Sequence, residues 1–250
     1  MVTKHTDKTS AQTVADFDDL TIEYPEEDGE PLAESDFQLI PLTYAVVALR
    51  ARYADREDIY VGGNMLLYYR MNLPEFSVAP DVFMVAGARG NHKRRSWFTW
   101  REGAAPAFVM EIASDSTWRH DSAAKRAIYA EIGVTEYWRF DPTGECFSPA
   151  LVGERLVDGA YQPIEVAEDD SGILRGHSEA LGLDLCALPD LELRLYDPER
   201  EEWLLNYDEE QAARQAAERN VQTERAARRA AEERVRQLEA LLRAQDGDSA

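Results

Sequence analysis

The chain has 250 residues, of which 44% are hydrophobic and 10% aromatic, a composition that is ordinary for a globular protein and excludes wholesale disorder. Its formal net charge is −21, most of it in the first 205 residues, which argues against broad, non-specific binding to nucleic acid. No apolar run approaches the roughly 20 residues that span a bilayer, and the polar start lacks the apolar region of a signal peptide, so we expect a cytoplasmic protein.

The chain divides by composition into three parts. Residues 1–18 predict a flexible lead-in, residues 19–205 predict one folded domain, and residues 206–250, rich in Ala, Glu, Arg and Gln, predict a long helix or coiled coil. Early in the domain, apolar side chains recur at helical spacing and predict a helix through Leu42, Val46, Leu49 and Tyr53.

Short apolar runs after this helix predict strands, at 59–71, 78–87, 106–114 and 135–142. Gly62-Gly63 interrupts the first run, which indicates either a hairpin or a bulged strand. A helical pattern that ends at Gly133 separates the last two runs. Strand, helix, strand in that order is a βαβ unit, so we expect a sheet that is mixed or parallel.

The remaining residues predict short strands and then the long helix. Asp158-Gly159 is typical of a hairpin turn, and residues 181–199 predict a closing strand pair. The long helix carries a heptad seam whose C-terminal half is apolar, which indicates a weakly encoded coiled-coil homodimer, with a single solvated helix as the alternative. The seam consists of Ala217, Val221, Glu224, Arg228, Ala231, Val235, Leu238 and Leu242.

One acid, Glu111, lies inside the third apolar run, PAFVMEIAS. An ionised carboxylate in a buried strand is unfavourable unless a cation, a proton or an exposed position compensates it. Asp81 raises the same question at the start of the preceding run. If the two strands are adjacent, both acids meet at one end of the sheet, where their oxygens suit Mg²⁺ or Mn²⁺. Taken singly, Asp81 fits a turn acid after Pro80, and Glu111 fits an acid at a strand edge.

A second candidate site is the run RGNHKRRSWFTWR, residues 89–101. It carries five Lys or Arg, three aromatic residues and no acid. Charges interleaved with aromatic side chains suit a nucleic-acid strand or a phosphate, and a solvated basic loop is an equally good interpretation. The candidate nucleic-acid contacts are Lys93, Arg94, Arg95 and Arg101.

The order of these residues resembles a known family. The likeness is carried, in chain order, by YVGGNMLLYY, VAPDVFMVAG, Glu111 in its apolar strand, Lys125, GVTEYWRFDP and LGLDL. These stretches are similar to the Uma-two family of restriction endonucleases, which belongs to the PD-(D/E)-x-K nuclease superfamily. The resemblance covers about Tyr24 to Asp197 and implies a restriction-endonuclease-like α/β core, in which helices flank a central mixed sheet.

The resemblance also implies roles for individual residues. Asp81 and Glu111 would hold Mg²⁺, and Lys125 would orient the attacking water or stabilise charge in the transition state. The usual lysine of the superfamily lies two residues after the acid, where this chain has Ala113, and in the resembling family it has moved to the following helix, at Lys125. Spacing alone favours an exposed pair of Lys125 with Asp121. The supporting residues are Glu34, Asp121 and Tyr129.

Together these features predict a Mg²⁺-dependent endonuclease that hydrolyses phosphodiester bonds in DNA and forms a homodimer. Two alternatives stay open. A catalytically silent nuclease fold, acting as a scaffold or interaction module that assembles through its C-terminal helix, agrees better with the net charge of −21. A phosphohydrolase of another kind, built on the same ligands, is the third interpretation.

Overall fold

The computed structural model describes residues 18–26, 35–90, 92–114 and 118–247, and it describes their side chains except those of 118–122 and 238–247. Glu34 therefore lies outside the described residues, and Asp121 is described as part of a helix without its side chain. Within these ranges no helix combines the length and the hydropathy needed to cross a membrane. The contacts divide the chain after Leu204 into two compact units, which are treated separately below.

Four helices and fourteen strands make up the described ranges. In chain order they are α1 (Asp36–Arg52), β1 (Ile59–Gly62), β2 (Leu67–Tyr68), β3 (Ser77–Val78), β4 (Val82–Ala86), β5 (Trp97–Phe98), α2 (Thr99–Glu102), β6 (Phe108–Ile112), α3 (Trp118–Ile132), β7 (Glu136–Phe140), β8 (Leu151–Val157), β9 (Ala160–Ile164), β10 (Val166–Glu168), β11 (Leu174–Ser178), β12 (Leu183–Ala187), β13 (Leu193–Asp197), β14 (Glu202–Trp203) and α4 (Tyr207–Gly247).

A six-stranded mixed sheet forms the centre of the first unit, in the order β1-β4-β6-β7-β8-β9. Strands β6 and β7 run parallel and are joined through α3, whereas the other neighbours are antiparallel. The predicted βαβ unit and mixed sheet are thus confirmed. Strands β10 to β14 form a separate antiparallel sheet in chain order, and β3-β2-β5 form a small third sheet.

Both faces of the six-stranded sheet are buried, because alternate side chains along each strand point to opposite sides. On β6, Met110 and Ile112 join a core with α1 and the sheet of β10 to β14, while Val109 faces the opposite side and packs in a core with Tyr129 of α3. Helices therefore flank the central sheet on both faces, as expected from the sequence. Glu111 follows the parity of Val109 and lies on the α3 face.

The structure corrects the prediction of a hairpin or a bulged strand at Gly62-Gly63. The strands on either side of this pair, β1 and β2, belong to different sheets. Gly63 is required instead by close approach, since a Cβ atom there would lie 2.5 Å from a methyl group of Val46 and 2.9 Å from the carbonyl oxygen of Asp81. The hairpin at Asp158-Gly159 is confirmed, with both residues at positive φ between paired strands β8 and β9.

The second unit is the 41-residue helix α4, which confirms the predicted long helix. Asn206 and Glu209 cap its start reciprocally: the Asn206 side chain accepts the backbone N–H of Glu209 at 3.0 Å, and the Glu209 carboxylate accepts that of Asn206 at 2.8 Å. Val221 and Val235 of the predicted seam are 46% and 53% exposed within the single chain. A coiled coil between two copies stays a prediction.

Candidate active site

Two acids from neighbouring strands meet at one end of the central sheet. Because β4 and β6 are antiparallel, the start of β4 lies beside the end of β6, and Asp81 directly precedes β4. The Asp81 side chain turns inward, is only 7% exposed and accepts the backbone N–H of Ile112 at 2.7 Å through Oδ2. Asp81 is thereby tied to the residue that follows Glu111.

Glu111 is held by two side chains of α3. Its Oε2 accepts a hydrogen bond from the Lys125 ammonium at 2.9 Å, and its Oε1 accepts one from the Tyr129 hydroxyl. Lys125 and Tyr129 are four residues apart, so they lie one turn apart on the same face of the helix. The side chains of Glu111 and Lys125 are 13% and 22% exposed, which makes this a half-buried ion pair rather than a solvated surface pair.

The positive charge near Asp81 is too small to keep its carboxyl group ionised. Burial, and then the negative charge of Glu111, raise the pKa of Asp81 to about 8, although the N–H of Ile112 and the charge of Lys125 act in the opposite direction. Asp81 therefore holds a proton near neutral pH unless another cation takes its place. Burial, and then Glu111, also raise the pKa of the Tyr129 phenol well above its usual value, so Tyr129 remains a hydrogen-bond donor.

The charged cluster extends to residues that the sequence reasoning missed. Arg139 on β7 is the register partner of Glu111, so both side chains emerge on the same face of two adjacent parallel strands. Next to it, Glu154 of β8 accepts hydrogen bonds from Arg126 of α3. The sequence EYWRF of β7 could have revealed Arg139, since the alternation of side chains along a strand places this arginine on the α3 face of a strand that is otherwise buried.

The structure also shows what lies at the superfamily's usual lysine position. The position two residues after Glu111 is Ala113, whose N–H bonds to the carbonyl of Phe140 at 2.8 Å, so the cation beside the acid comes from α3 instead of β6. Among the side chains that the structure describes, no group of three or more His, Cys, Asp or Glu residues could hold a metal ion.

The described residues of the basic run, 89–90 and 92–101, include β5 and α2, and their cations differ in exposure. Arg94 is almost completely buried: its side chain is 4% exposed, it pairs with both carboxylate oxygens of Glu102 at 2.6 and 2.9 Å, and it lies over the rings of Tyr60 and Trp97. These contacts indicate that Arg94 supports the loop from within.

The other cations of the run lie nearer the surface. Arg95 is 80% exposed and pairs with Glu26 at 2.7 Å, and Lys93 is exposed. Arg101 pairs with Asp18 and lies 4.3 Å from the ring centroid of Phe98. Acids distant in sequence thus neutralise part of the charge that makes the run appear so basic in the sequence.

Comparison with known proteins agrees with the resemblance. Residues 15–186 match the family model of Uma2, described as "Putative restriction endonuclease". No curated protein matched the chain. Among solved structures, a crystal structure of a "putative nuclease belonging to DUF820" from Anabaena variabilis is similar, with 11% identity and a TM-score of 0.37, over 71% of this chain and 81% of that chain. Because the family model spans well over half of its residues, the chain belongs to the Uma2 family.

Proposed function

We propose that the protein is a metal-dependent endonuclease that hydrolyses phosphodiester bonds in DNA. The observation that carries this proposal is the combination of a buried Asp81, whose pKa is raised to about 8, with the half-buried pair of Glu111 and Lys125 beside it. A raised pKa at a half-enclosed acid pair is typical of functional sites, because a structural role alone would favour groups that neutralise one another.

The donor set suits Mg²⁺ or Mn²⁺. These cations take oxygen ligands, and Mg²⁺ commonly binds through one or two carboxylates while keeping several waters, so Asp81 and Glu111 suffice as protein ligands. Lys125 and Tyr129 each donate one hydrogen bond to Glu111, and each carboxylate oxygen has a further lone pair for a cation. When bound, the ion would polarise the scissile phosphate and lower the pKa of an attacking water.

The protein's own side chains would then fix the geometry of the reaction. The Tyr129 hydroxyl and the Ile112 N–H orient the two carboxylates, as partners of metal ligands commonly do. Lys125 lies at the acid pair and would orient the water or stabilise the charge that develops on the phosphate. Lys93, Arg95 and Arg101 are the proposed nucleic-acid contacts of the basic run, and Arg94 supports their loop.

A cleavage assay with Mn²⁺ on mixed DNA and RNA substrates tests this proposal. Wild type should cleave DNA, and Lys125→Ala should reduce kcat by about 10²- to 10³-fold, the loss that follows removal of one group stabilising transition-state charge. A suitable control is Arg70→Ala, because Arg70 also forms an ion pair with α3, to Glu131 at 2.5 Å, yet that pair is largely exposed. Thermal melting of both variants would verify that they fold.

Each outcome separates the competing functions. Equal activity of Lys125→Ala and wild type would remove the role of the lysine even if cleavage is real. A wild type that is stabilised by Mn²⁺ but cleaves neither DNA nor RNA would favour the silent scaffold or a different phosphohydrolase. Preference for RNA would keep the site and change the substrate.

A further inference from the structure

Arg139 lies beside the candidate active site and is only partly paired, through one long contact with Glu154. Its register partner across the parallel β6–β7 pair is Glu111, so its side chain leaves the sheet on the face, and near the end of the sheet, where Glu111 meets Lys125. The charges of Arg139, Lys125 and Glu111 all act on the buried phenol of Tyr137, which places them in one electrostatic neighbourhood.

The hydrogen-bonding capacity of Arg139 is mostly unused. Its Nη2 makes one long hydrogen bond of 3.4 Å to Oε2 of Glu154, and its Nε is buried and has no hydrogen-bond partner among the described residues. The rings of Tyr137 and Phe147 lie 5.7 and 5.8 Å from the guanidinium carbon, at the outer limit of a cation–π contact. The side chain as a whole is 27% exposed, so part of it is open to an incoming ligand.

Glu154 neutralises Arg139 only in part, because the same carboxylate also pairs with Arg126. The Arg126 guanidinium donates to Oε1 of Glu154 at 2.8 and 3.0 Å and to Oε2 at 3.2 Å, all shorter than the bond from Arg139. One carboxylate therefore faces two guanidinium groups, which leaves an excess positive charge beside the acid pair. Because the chain has a net charge of −21, an excess of positive charge beside the acid pair indicates a site for an anion.

We propose that Arg139 binds a phosphate of the nucleic-acid strand at the active site, next to the bond that is cut. The terminal nitrogens of a planar guanidinium match two phosphate oxygens, a geometry that lysine does not reproduce, and only one long hydrogen bond to Glu154 competes for them. Arg126 holds Glu154 and thereby leaves the fork of Arg139 available. This assignment rests on the proposed nuclease function and adds a substrate-binding residue on β7 to it.

Equilibrium binding of a short fluorescent DNA duplex, with Ca²⁺ in place of Mn²⁺ to suppress cleavage, tests the assignment. Arg139→Gln should raise Kd about tenfold and reduce the slope of log K against log salt by about 0.9, the value for one lost phosphate contact on duplex DNA. Arg139→Lys should keep the salt slope and raise Kd less. In the cleavage assay, Arg139→Gln should raise KM more than it lowers kcat.

The control is Arg175→Gln, since Arg175 is similarly exposed, at 31%, and pairs with Asp184 at 3.1 Å on the sheet of β10 to β14. Unchanged Kd and salt slope in Arg139→Gln, or an equal effect of Arg175→Gln, would overturn the assignment while leaving cleavage by wild type intact. An Arg139-dependent slope without any cleavage would support the phosphate contact and overturn the nuclease. A wild type that neither binds nor cleaves would overturn both.

Discussion

Asp81 links the chemistry of the site to the stability of the protein. In the folded chain its pKa is raised to about 8 by burial and by Glu111, whereas in the unfolded chain the carboxyl group has its ordinary value of 3.8. Between these two values the folded state holds a proton that the unfolded state has released. The free energy of unfolding of the metal-free protein should therefore fall as the pH rises through this window.

Urea unfolding in EDTA between pH 5 and pH 8 would measure this effect. For wild type we expect a loss of up to about 1.4 kcal/mol per pH unit from Asp81, and Asp81→Asn should remove that contribution because its amide does not titrate. Added Mn²⁺ should restore more stability at pH 8 than at pH 5.5, since the cation replaces the proton. The exposed Asp170→Asn should keep the wild-type slope, and an unchanged slope in Asp81→Asn would contradict the burial argument.

At the scale of elements, Glu136 joins the central sheet to the sheet of β10 to β14. This side chain at the start of β7 is fully buried and accepts hydrogen bonds from Arg155, from the Ser178 hydroxyl, from the indole of Trp138 and from the backbone N–H of Glu179. Ser178 ends β11, so one carboxylate connects strands of two sheets. Its charge is satisfied on all sides, which indicates a structural role.

Glu136→Gln should lower the free energy of unfolding by roughly 3 kcal/mol or more. The substitution removes the buried negative charge that pairs with Arg155, and it replaces one carboxylate oxygen, which accepts hydrogen bonds, with an amide group that donates them. The drop in the urea midpoint measures the effect. Glu202→Gln on the exposed β14 is the matched control and should change stability by less than about 0.5 kcal/mol. Similar midpoints for the two variants would mean that the Glu136 contacts contribute little.

At the scale of the whole molecule, α4 is the element from which we expect a dimer. Its described side chains are nearly all exposed, and Val221 and Val235 are two heptads apart on the predicted seam. An isolated helix of this length gains stability in water mainly by packing an apolar face against a partner. We expect a second copy of the same helix to supply that face, as in the predicted coiled-coil homodimer.

Sedimentation of the full chain should therefore give a particle of twice the 28.3 kDa chain mass. Val221→Glu with Val235→Glu should shift it to the monomer, because charges on a seam repel and cannot be buried. Gln222→Glu with Gln237→Glu adds the same charge away from the seam and should leave the dimer intact. A wild type that sediments as a monomer at all concentrations would refute the dimer.

The sequence by itself determined the types of the elements and the identity of the acid pair. Helical spacing, short apolar runs and Asp158-Gly159 predict the main helices and strands, since periodicity and turn chemistry are local properties of the chain. Glu111 was recognisable because an acid in an apolar strand conflicts with its surroundings. The family resemblance then singled out Lys125, which spacing alone assigned to an exposed pair with Asp121.

Only the tertiary structure decided where the charges lie. The ion pair of Lys125 with Glu111, the neutralisation of Arg101 by Asp18 and the incomplete pairing of Arg139 depend on residues brought together from 14, 83 and 15 positions away. Strand register and helix packing set such contacts, and a local pattern in the sequence does not encode them. For the same reason the basic run 89–101 looks uniform in sequence, yet in the fold it contains both a buried arginine and exposed cations.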